Sequence, residues 1–405
     1  MITGLNPYKQ KWGIRSDASI KPGLEAMEAA LFELGNPHKG LPFIHIAGTN
    51  GKGSTAAFVS SILMAHGKRV GNFFSPAIED VHDQIQLDRM PIGTAEFDKA
   101  MERLSKVETA LTDFELLTVC ALLIFEEAAP DYIIIEAGMG GRFDSTNVID
   151  PLVSIITSIS KEHTMFLGDS IEEIAWHKAG IIKDEKPVVI GPLPEEARKV
   201  IDGIAQEHHA PILTVQEYEG PLKLKGQHQR INASLAWTAA QQVLGKLFDA
   251  EKTAAGLAQA TIAFRFEEIF QHVIFDGAHN EASIKALVKT IQENYPDKKI
   301  HIVMGLIQGK DYLSILRLLE KISSHFTFID FSDERAMPAH ILFSKNISKI
   351  KTIQNDYDIL PVQNDLEVTI VTGSLYLLSL LKQRNYQMFR HYKARDQQDR
   401  DNART

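Results

Sequence analysis

Short β-branched runs alternate with amphipathic stretches along the chain. Strands are predicted at residues 43–47, 132–136, 153–157 and 187–190, and helices near 23–34, 55–66, 115–127 and 171–179. Alternation of this kind indicates βαβ units around a parallel sheet, and such sheets collect ligands at the carboxyl ends of their strands. A second series begins near residue 270, with strands at 272–275, 299–304, 326–331 and 367–371 and helices near 282–294, 312–322 and 375–383. The pattern predicts an N-terminal parallel-sheet domain over 1–265 and a smaller, Rossmann-like α/β domain over 270–390, joined between Gln259 and Gln271. Residues 391–405 are charged and lack an apolar period, so that tail is expected to be disordered.

Composition narrows the class. A chain of 405 residues exceeds one ordinary core. With 44% hydrophobic and 23% charged residues it has a globular profile, and its net charge of -9 argues against nucleic-acid binding through bulk positive charge. The single cysteine, Cys120, excludes an internal disulfide or a cysteine-based metal site and lies in an apolar helical run. No segment has the apolar length of a membrane span, and the first residues carry no signal-peptide pattern. The cytoplasm is the expected location.

Chemistry enters at the end of the first strand. Phe43-Ile44-His45-Ile46 runs into Ala47, Gly48, Thr49, Asn50, Gly51, Lys52, Gly53 and Ser54, followed by an apolar helical stretch. A glycine-rich loop between a strand and a helix directs backbone N–H groups at polyphosphate, lysine adds a point charge, and a hydroxyl can reach Mg²⁺. The N-terminal domain is therefore expected to be P-loop ATPase-like. Its spacing is tighter than in the generic phosphate loop, and Gly53 intervenes between Lys52 and Ser54. A tight turn without a ligand is the plain alternative.

Three further strand ends carry polar residues. Residues 132–142 read as a buried strand ending in Glu136 and a glycine loop, and a carboxylate there can hold Mg²⁺ or serve a turn. His163 follows the strand at 153–157, where the sequence leaves a metal role and a structural role equally open. Lys178 and Lys183 close a helix, a position the helix dipole favours without any further role. In the second half Asp276-Gly277-Ala278-His279-Asn280 ends a strand and opens a helix. Asp276 suits a ribose hydroxyl or a metal-held group, while Asp276 and Asn280 also suit a turn and a helix cap.

These motifs, in this order, resemble the folylpolyglutamate synthase and dihydrofolate synthase family of the Mur ligase superfamily, from about residue 23 to about residue 383. The similar segments are 48–54, Ser75-Pro76, 111–115, 136–147, 157–168, 178–183, 226–232, 276–280 and 371–374. Gly53 favours this branch over the peptidoglycan ligases. The resemblance implies that Lys52 and the amides of Gly48–Ser54 hold the ATP phosphates, and that Ser75, Glu136 and His163 ligate Mg²⁺. It implies that Lys178 is carbamylated and holds a second Mg²⁺, and that Asn232, Arg265 and Asp276 contact the nucleotide. His279 would orient the γ-phosphate or substrate, and Phe114 and Asp83 would contact substrate. The implied reaction joins L-glutamate to a folate through an acyl phosphate, in a protein expected to act as a monomer.

Departures cluster where the acceptor is read. Ala77 stands where the family commonly has histidine, His82-Asp83-Gln84-Ile85 where it has Asn-Glu-Arg-Ile, Phe264 where it has glycine and Glu281 where it has proline. Two further readings therefore stand beside folate ligation. One is the same chemistry on another carboxylate acceptor, and the other is a nucleotide-binding protein without catalysis.

Overall fold

The computed structural model describes residues 2–77, 79–357 and 366–385, so the tail expected over 391–405 lies outside the described residues. The chain divides into two compact units. The first comprises Met1–Lys223 and His228–Thr261, the second Leu224–Gln227 and the chain from Ile262 onward.

The first unit contains β1 (Ser16–Asp17), β2 (Phe43–Ala47), β3 (Val70–Phe73), β4 (Ile85–Leu87), β5 (Met90–Pro91), β6 (Leu111–Thr112), β7 (Tyr132–Glu136), β8 (Pro151–Ile156), β9 (Val188–Ile190) and β10 (Ile212–Thr214). Eight of them form one sheet in the order β10-β9-β8-β2-β7-β3-β4-β5, while β1 and β6 pair separately. From β10 to β3 every pairing is parallel. All five residues of β2 are buried, as expected of a central strand covered on both faces. On one side Phe43, Phe73, Ile133 and Ile135 share a core with Leu117, Ala121 and Phe125 of the helix Asp113–Ala128. On another, Ala47, Ile156, Val188 and Ile190 pack with Ile174 and Ile201 from the helices Ile171–Ala179 and Glu195–Glu207.

The all-parallel expectation needs correction at one edge, where β4 runs antiparallel to β3 and β5 antiparallel to β4. The two-residue turn between β4 and β5 places Asp88 at φ 52 and Arg89 at φ 67. Two successive positive φ values are the geometry that follows the twist of a hairpin, normally announced by Asn-Gly or Asp-Gly. Here the turn is held by side chains. Asp88 Oδ1 accepts from Val70 N at 2.8 Å, and Arg89 donates to Ser61 Oγ at 3.1 Å and Thr261 O at 2.9 Å.

The second unit contains β11 (Glu267–Phe270), β12 (Val273–Asp276), β13 (Lys299–Met304), β14 (His325–Ile329), β15 (Ile350–Gln354) and β16 (Glu367–Thr372), in the order β11-β12-β16-β13-β14-β15. Only β11 is antiparallel to its neighbour. Its core gathers Ile274, Ile302, Phe326, Phe328 and Ile370 with Ile284 and Leu287 of the helix Glu281–Asn294.

Phe264 gives this unit a strained entry. It is fully buried at φ 59, a left-handed conformation that favours glycine. The ring compensates by packing on Phe275 with centroids 6.1 Å apart, under the Lys382 ammonium at 5.6 Å. Phe264→Ala loses the ring and keeps the strain, so it is expected to destabilise the unit by about 3 to 5 kcal/mol. Phe264→Gly relieves the strain, about 1 to 3 kcal/mol, and is expected to cost less than the alanine variant. Urea unfolding of the three proteins checks the order.

Candidate active site

The loop after β2 is built from its neighbours inward. A Cβ on Gly48 would lie 1.9 Å from Thr157 Oγ1, so no side chain fits there. The Thr49 N–H donates to Ser158 O at 2.8 Å, the Asn50 N–H to Ser158 Oγ at 3.0 Å, and Thr157 Oγ1 donates to Asn50 O at 2.7 Å. These bonds fix two successive residues, Thr49 and Asn50, against the segment that follows β8. Gly51 takes φ 88 and caps the helix Lys52–Ala65. The helix begins at Lys52, three residues earlier than its apolar period shows, so Lys52, Gly53 and Ser54 form its first turn. Lysine and hydroxyl thus stand where backbone N–H groups are unpaired within the helix and the dipole is positive.

Three charged side chains converge on this loop. Lys52 Nζ donates to Gly48 O at 3.1 Å and lies 3.9 Å from Glu136 Oε1. Glu136 ends β7, beside β2, and is only 5% exposed. Lys178 Nζ reaches the same Gly48 carbonyl at 2.9 Å and is 3% exposed. Burial first, then the Lys52 charge, pull the Lys178 amine down to about 7, against weaker opposing influence from Glu162 and Asp144. The helix-end reading of Lys178 places it correctly in the last turn of Ile171–Ala179, but its side chain turns inward to the loop.

Ser54 and Asn232 belong to the same neighbourhood. Gln229 Nε2 donates to Ser54 Oγ at 3.3 Å, and Asn232 Nδ2 donates to Gln229 Oε1 at 3.0 Å. A Cβ on Gly51 would touch Asn232 Oδ1. Ser75 follows β3, and His163, at φ 52, caps the single helical turn Thr164–Leu167 after β8. Because β8, β2, β7 and β3 are adjacent and parallel, Ser75, Glu136, His163 and the glycine loop lie at one edge of the sheet.

Asp144 escaped sequence reasoning, although its polar loop was visible. It is buried and accepts from Met139 N at 2.7 Å, Thr146 N at 3.1 Å and Thr146 Oγ1 at 2.6 Å. Burial nevertheless raises its carboxyl above the usual range. His45 Nε2 reaches Thr146 Oγ1 at 2.9 Å, and burial lowers that imidazole to about 3, so it is neutral and donates. The chain from His45 through Thr146 to Asp144 anchors the glycine loop after Glu136. Phe114 packs on that loop too, because a Cβ on Gly138 would strike its ring at 2.6 Å, and the ring stacks on Phe73 at 5.9 Å. The helix carrying Phe114 starts at a capping box between Thr112 and Glu115, and Asp113 is bound by Lys9 Nζ at 2.7 Å. Asp83 lies in the one-turn 3₁₀ helix Val81–Gln84 and accepts from Glu79 N.

Arg265, Asp276 and His279 group within the second unit. Asp276 ends β12 and accepts from Phe266 N at 2.8 Å and Ala278 N at 2.9 Å. Burial raises its carboxyl, against the lowering effect of Arg265. Arg265 Nη1 donates to Phe264 O at 3.1 Å, and His279 Nδ1 donates to Gly277 O at 2.8 Å. Asn280 caps the helix Glu281–Asn294 through a capping box with Ser283. The turn and cap reading of Asp276 and Asn280 is thus realised, alongside any ligand role.

Comparison with known proteins fixes the class. Residues 46–243 match the Mur ligase middle domain, and residues 263–383 match the dihydrofolate synthetase C-terminal domain. The fold is that of a two-domain α/β ligase of the Mur type. More closely, the chain belongs to the dihydrofolate synthase/folylpolyglutamate synthase family. It is 35% identical to the dihydrofolate synthase/folylpolyglutamate synthase of Bacillus subtilis (strain 168), over 90% of this chain and 95% of that protein. Escherichia coli FolC in complex with DHPP and ADP matches with a TM-score of 0.84 at 25% identity, covering 95% of this chain and 98% of that one. A bifunctional folylpolyglutamate synthase/dihydrofolate synthase with Mn, AMPPNP and L-glutamate bound matches with a TM-score of 0.81 at 25% identity, covering 91% and 95%.

Proposed function

We propose that the chain joins L-glutamate to a folate carboxylate at the expense of ATP, with dihydropteroate as a further acceptor. The observation that carries this reading is the convergence of Lys52, Glu136 and Lys178 on the Gly48 loop at a helix N-terminus. The relatives' bound ADP, AMPPNP, Mn and L-glutamate support it. The protein is taken to be a cytoplasmic monomer, as the resemblance implies. Among the described residues no helix is long and apolar enough to cross a membrane.

The chemistry follows from the poor electrophilicity of a carboxylate. A carboxylate oxygen of the acceptor attacks the γ-phosphorus, and ADP leaves. The glutamate amine then attacks the acyl carbon, loses a proton, and phosphate departs with the electron pair of the broken C–O bond. Lys52 and the amides of Gly48–Ser54 hold the transferring phosphoryl group, where negative charge grows. By the resemblance, Asn232, Arg265 and Asp276 contact the nucleotide, His279 orients the γ-phosphate or substrate, and Phe114 and Asp83 contact the substrate.

The residues fit a divalent ion. Lys52 and Glu136 are spaced at 3.9 Å, wider than a direct hydrogen bond, and Ser75 and Glu136 offer hard oxygen donors at one sheet edge. His163 adds a nitrogen donor, which Mn²⁺ accepts more readily than Mg²⁺ does. When bound, the ion neutralises charge on the phosphate oxygens. Lys178 would join a second ion as its carbamate. An amine lowered to about 7 has a substantial neutral fraction near pH 7, the form that takes up CO₂.

Two measurements test the proposal. Phosphate release with ATP and Mg²⁺ is expected only when both a folate acceptor and L-glutamate are present, and release without either would overturn it. If Lys178 is carbamylated, activity falls as pH drops through about 7, because the ammonium form cannot add CO₂. Bicarbonate is expected to restore activity on this acid limb in CO₂-depleted buffer, and an unresponsive limb would remove the carbamate from the scheme.

A further inference from the structure

A polar stripe crosses the sheet of the second unit. It crosses the amino-terminal half of the sheet, where Thr369 of β16 pairs with His301 of β13, which pairs with His325 of β14. The His301 and His325 rings stack with centroids 3.9 Å apart and planes 10° apart. His325 Nδ1 lies 3.3 Å from Glu367 Oε1. One donor atom from each of His301, His325 and Glu367 lies within 4.8 Å of the others. All three residues are half-buried, so solvent reaches them without flooding them.

We propose that His301, His325 and Glu367 form a site for a divalent transition-metal ion of the Zn²⁺ class. Two imidazoles and one carboxylate make a donor set with room for a water as fourth ligand. Borderline nitrogen donors select Zn²⁺, Co²⁺ or Ni²⁺ over Mg²⁺. The outer contacts already orient one ligand. His301 Nε2 bonds Thr327 Oγ1 at 2.8 Å, and Thr327 Oγ1 lies 3.1 Å from Thr352 Oγ1. With Nε2–H donating to Thr327, His301 Nδ1 carries the lone pair on the β16 side, where Thr369 Oγ1 lies 3.5 Å away and must yield to the ion. Tetrahedral Zn²⁺ sets its ligand atoms about 3.4 Å apart, so the parallel rings must splay to close the set.

The position separates this site from the ligase machinery. Glu367 opens β16 and Thr372 closes it, beside Asp276 at the end of β12. By register His301 and His325 lie three residues of strand from that carboxyl edge and Glu367 five, about 10 to 17 Å away. The ion would therefore brace β13, β14 and β16 or respond to metal supply, without touching the reacting groups.

The test uses tag-free, EDTA-treated full chain in a His163→Ala background, which removes a ligand expected at the other metal position. Calorimetric titration with ZnCl₂ and competition against a chromophoric chelator are expected to show one ion per chain. His325→Ala is expected to weaken binding about 100-fold or more. Thr327→Val, which frees His301 Nε2, is expected to weaken it about 10-fold. Co²⁺ should give the visible bands of a four-coordinate ion, and Zn²⁺ should raise the melting temperature of the parent but not of His325→Ala. If His325→Ala fails to fold, Glu367→Gln keeps the shape and removes the anionic ligand. No bound Zn²⁺, or binding unchanged in His325→Ala or Glu367→Gln, overturns the proposal and leaves the stacked pair a packing feature.

Discussion

Lys178→Met is expected to raise the melting temperature of the protein while abolishing its turnover. The two effects have opposite signs because the fold tolerates this lysine at a cost and the proposed chemistry uses it. Lys178 is 3% exposed, and burial with the nearby Lys52 lowers its amine from 10.5 to about 7. At pH below about 7 both folded and unfolded chains carry the proton, and the buried charge penalises folding in full. As pH rises through about 7 the folded state sheds that proton. The penalty then shrinks and is gone above the unfolded value of 10.5. Methionine fills similar volume without a charge. Its gain over the wild type is therefore largest near pH 6 and smallest near pH 10. The lost bond to Gly48 O leaves no orphan carbonyl, because Lys52 Nζ also donates to it at 3.1 Å. Calorimetric melting in degassed, metal-free buffer at several pH values, with turnover measured in parallel, checks both halves. A lower melting temperature at pH 6 would show that the amine supports the fold.

That lysine also marks where sequence reading stops. Strands at 43–47, 132–136 and 299–304 coincide with β2, β7 and β13, because buried parallel strands are continuous apolar runs with sharp polar ends. The helix at 171–179 is equally plain, since Ser170 and Glu173 form its capping box. β3 was not legible, because its four residues include Gly71 and Asn72. β15 is solvated along most of its length and carries no apolar period. The β4–β5 hairpin uses Asp88-Arg89 where the usual signal is a glycine, so only its side-chain anchors reveal it. At the site, residue types and order along the chain identified Lys52, Glu136 and Lys178. The meeting of both lysines on the Gly48 carbonyl, with Glu136 beside Lys52, was hidden, because it depends on strands β2, β7 and β8 lying side by side. Asp144 and Gln229 were missed for the same reason, since their partners are set by tertiary packing.

Lys52→Ala is expected to lower kcat by about 10³-fold, with a much smaller change in KM for ATP and little change in stability. The side chain is 17% exposed and sits in the first turn of its helix, so its removal opens no core. Its ammonium acts on charge that grows on the phosphoryl oxygens during transfer, and an interaction stronger in the transition state is lost from kcat. Removing one preorganised donor of this kind costs about 3 to 4 kcal/mol, which corresponds to roughly 10²- to 10³-fold. The 3.9 Å approach to Glu136 adds to the loss, because the variant also removes a cation from beside a buried carboxylate. Lys52→Arg keeps the charge, but its planar fork cannot reproduce a compact ammonium against Gly48 O and Thr49 O at 3.1 and 3.5 Å. It is expected to fall between the alanine variant and the wild type. Steady-state kinetics with varied ATP separate the cases. A loss confined to KM would make Lys52 a ground-state anchor for nucleotide, and the growing phosphoryl charge would then have to be met by the loop amides and the metal instead.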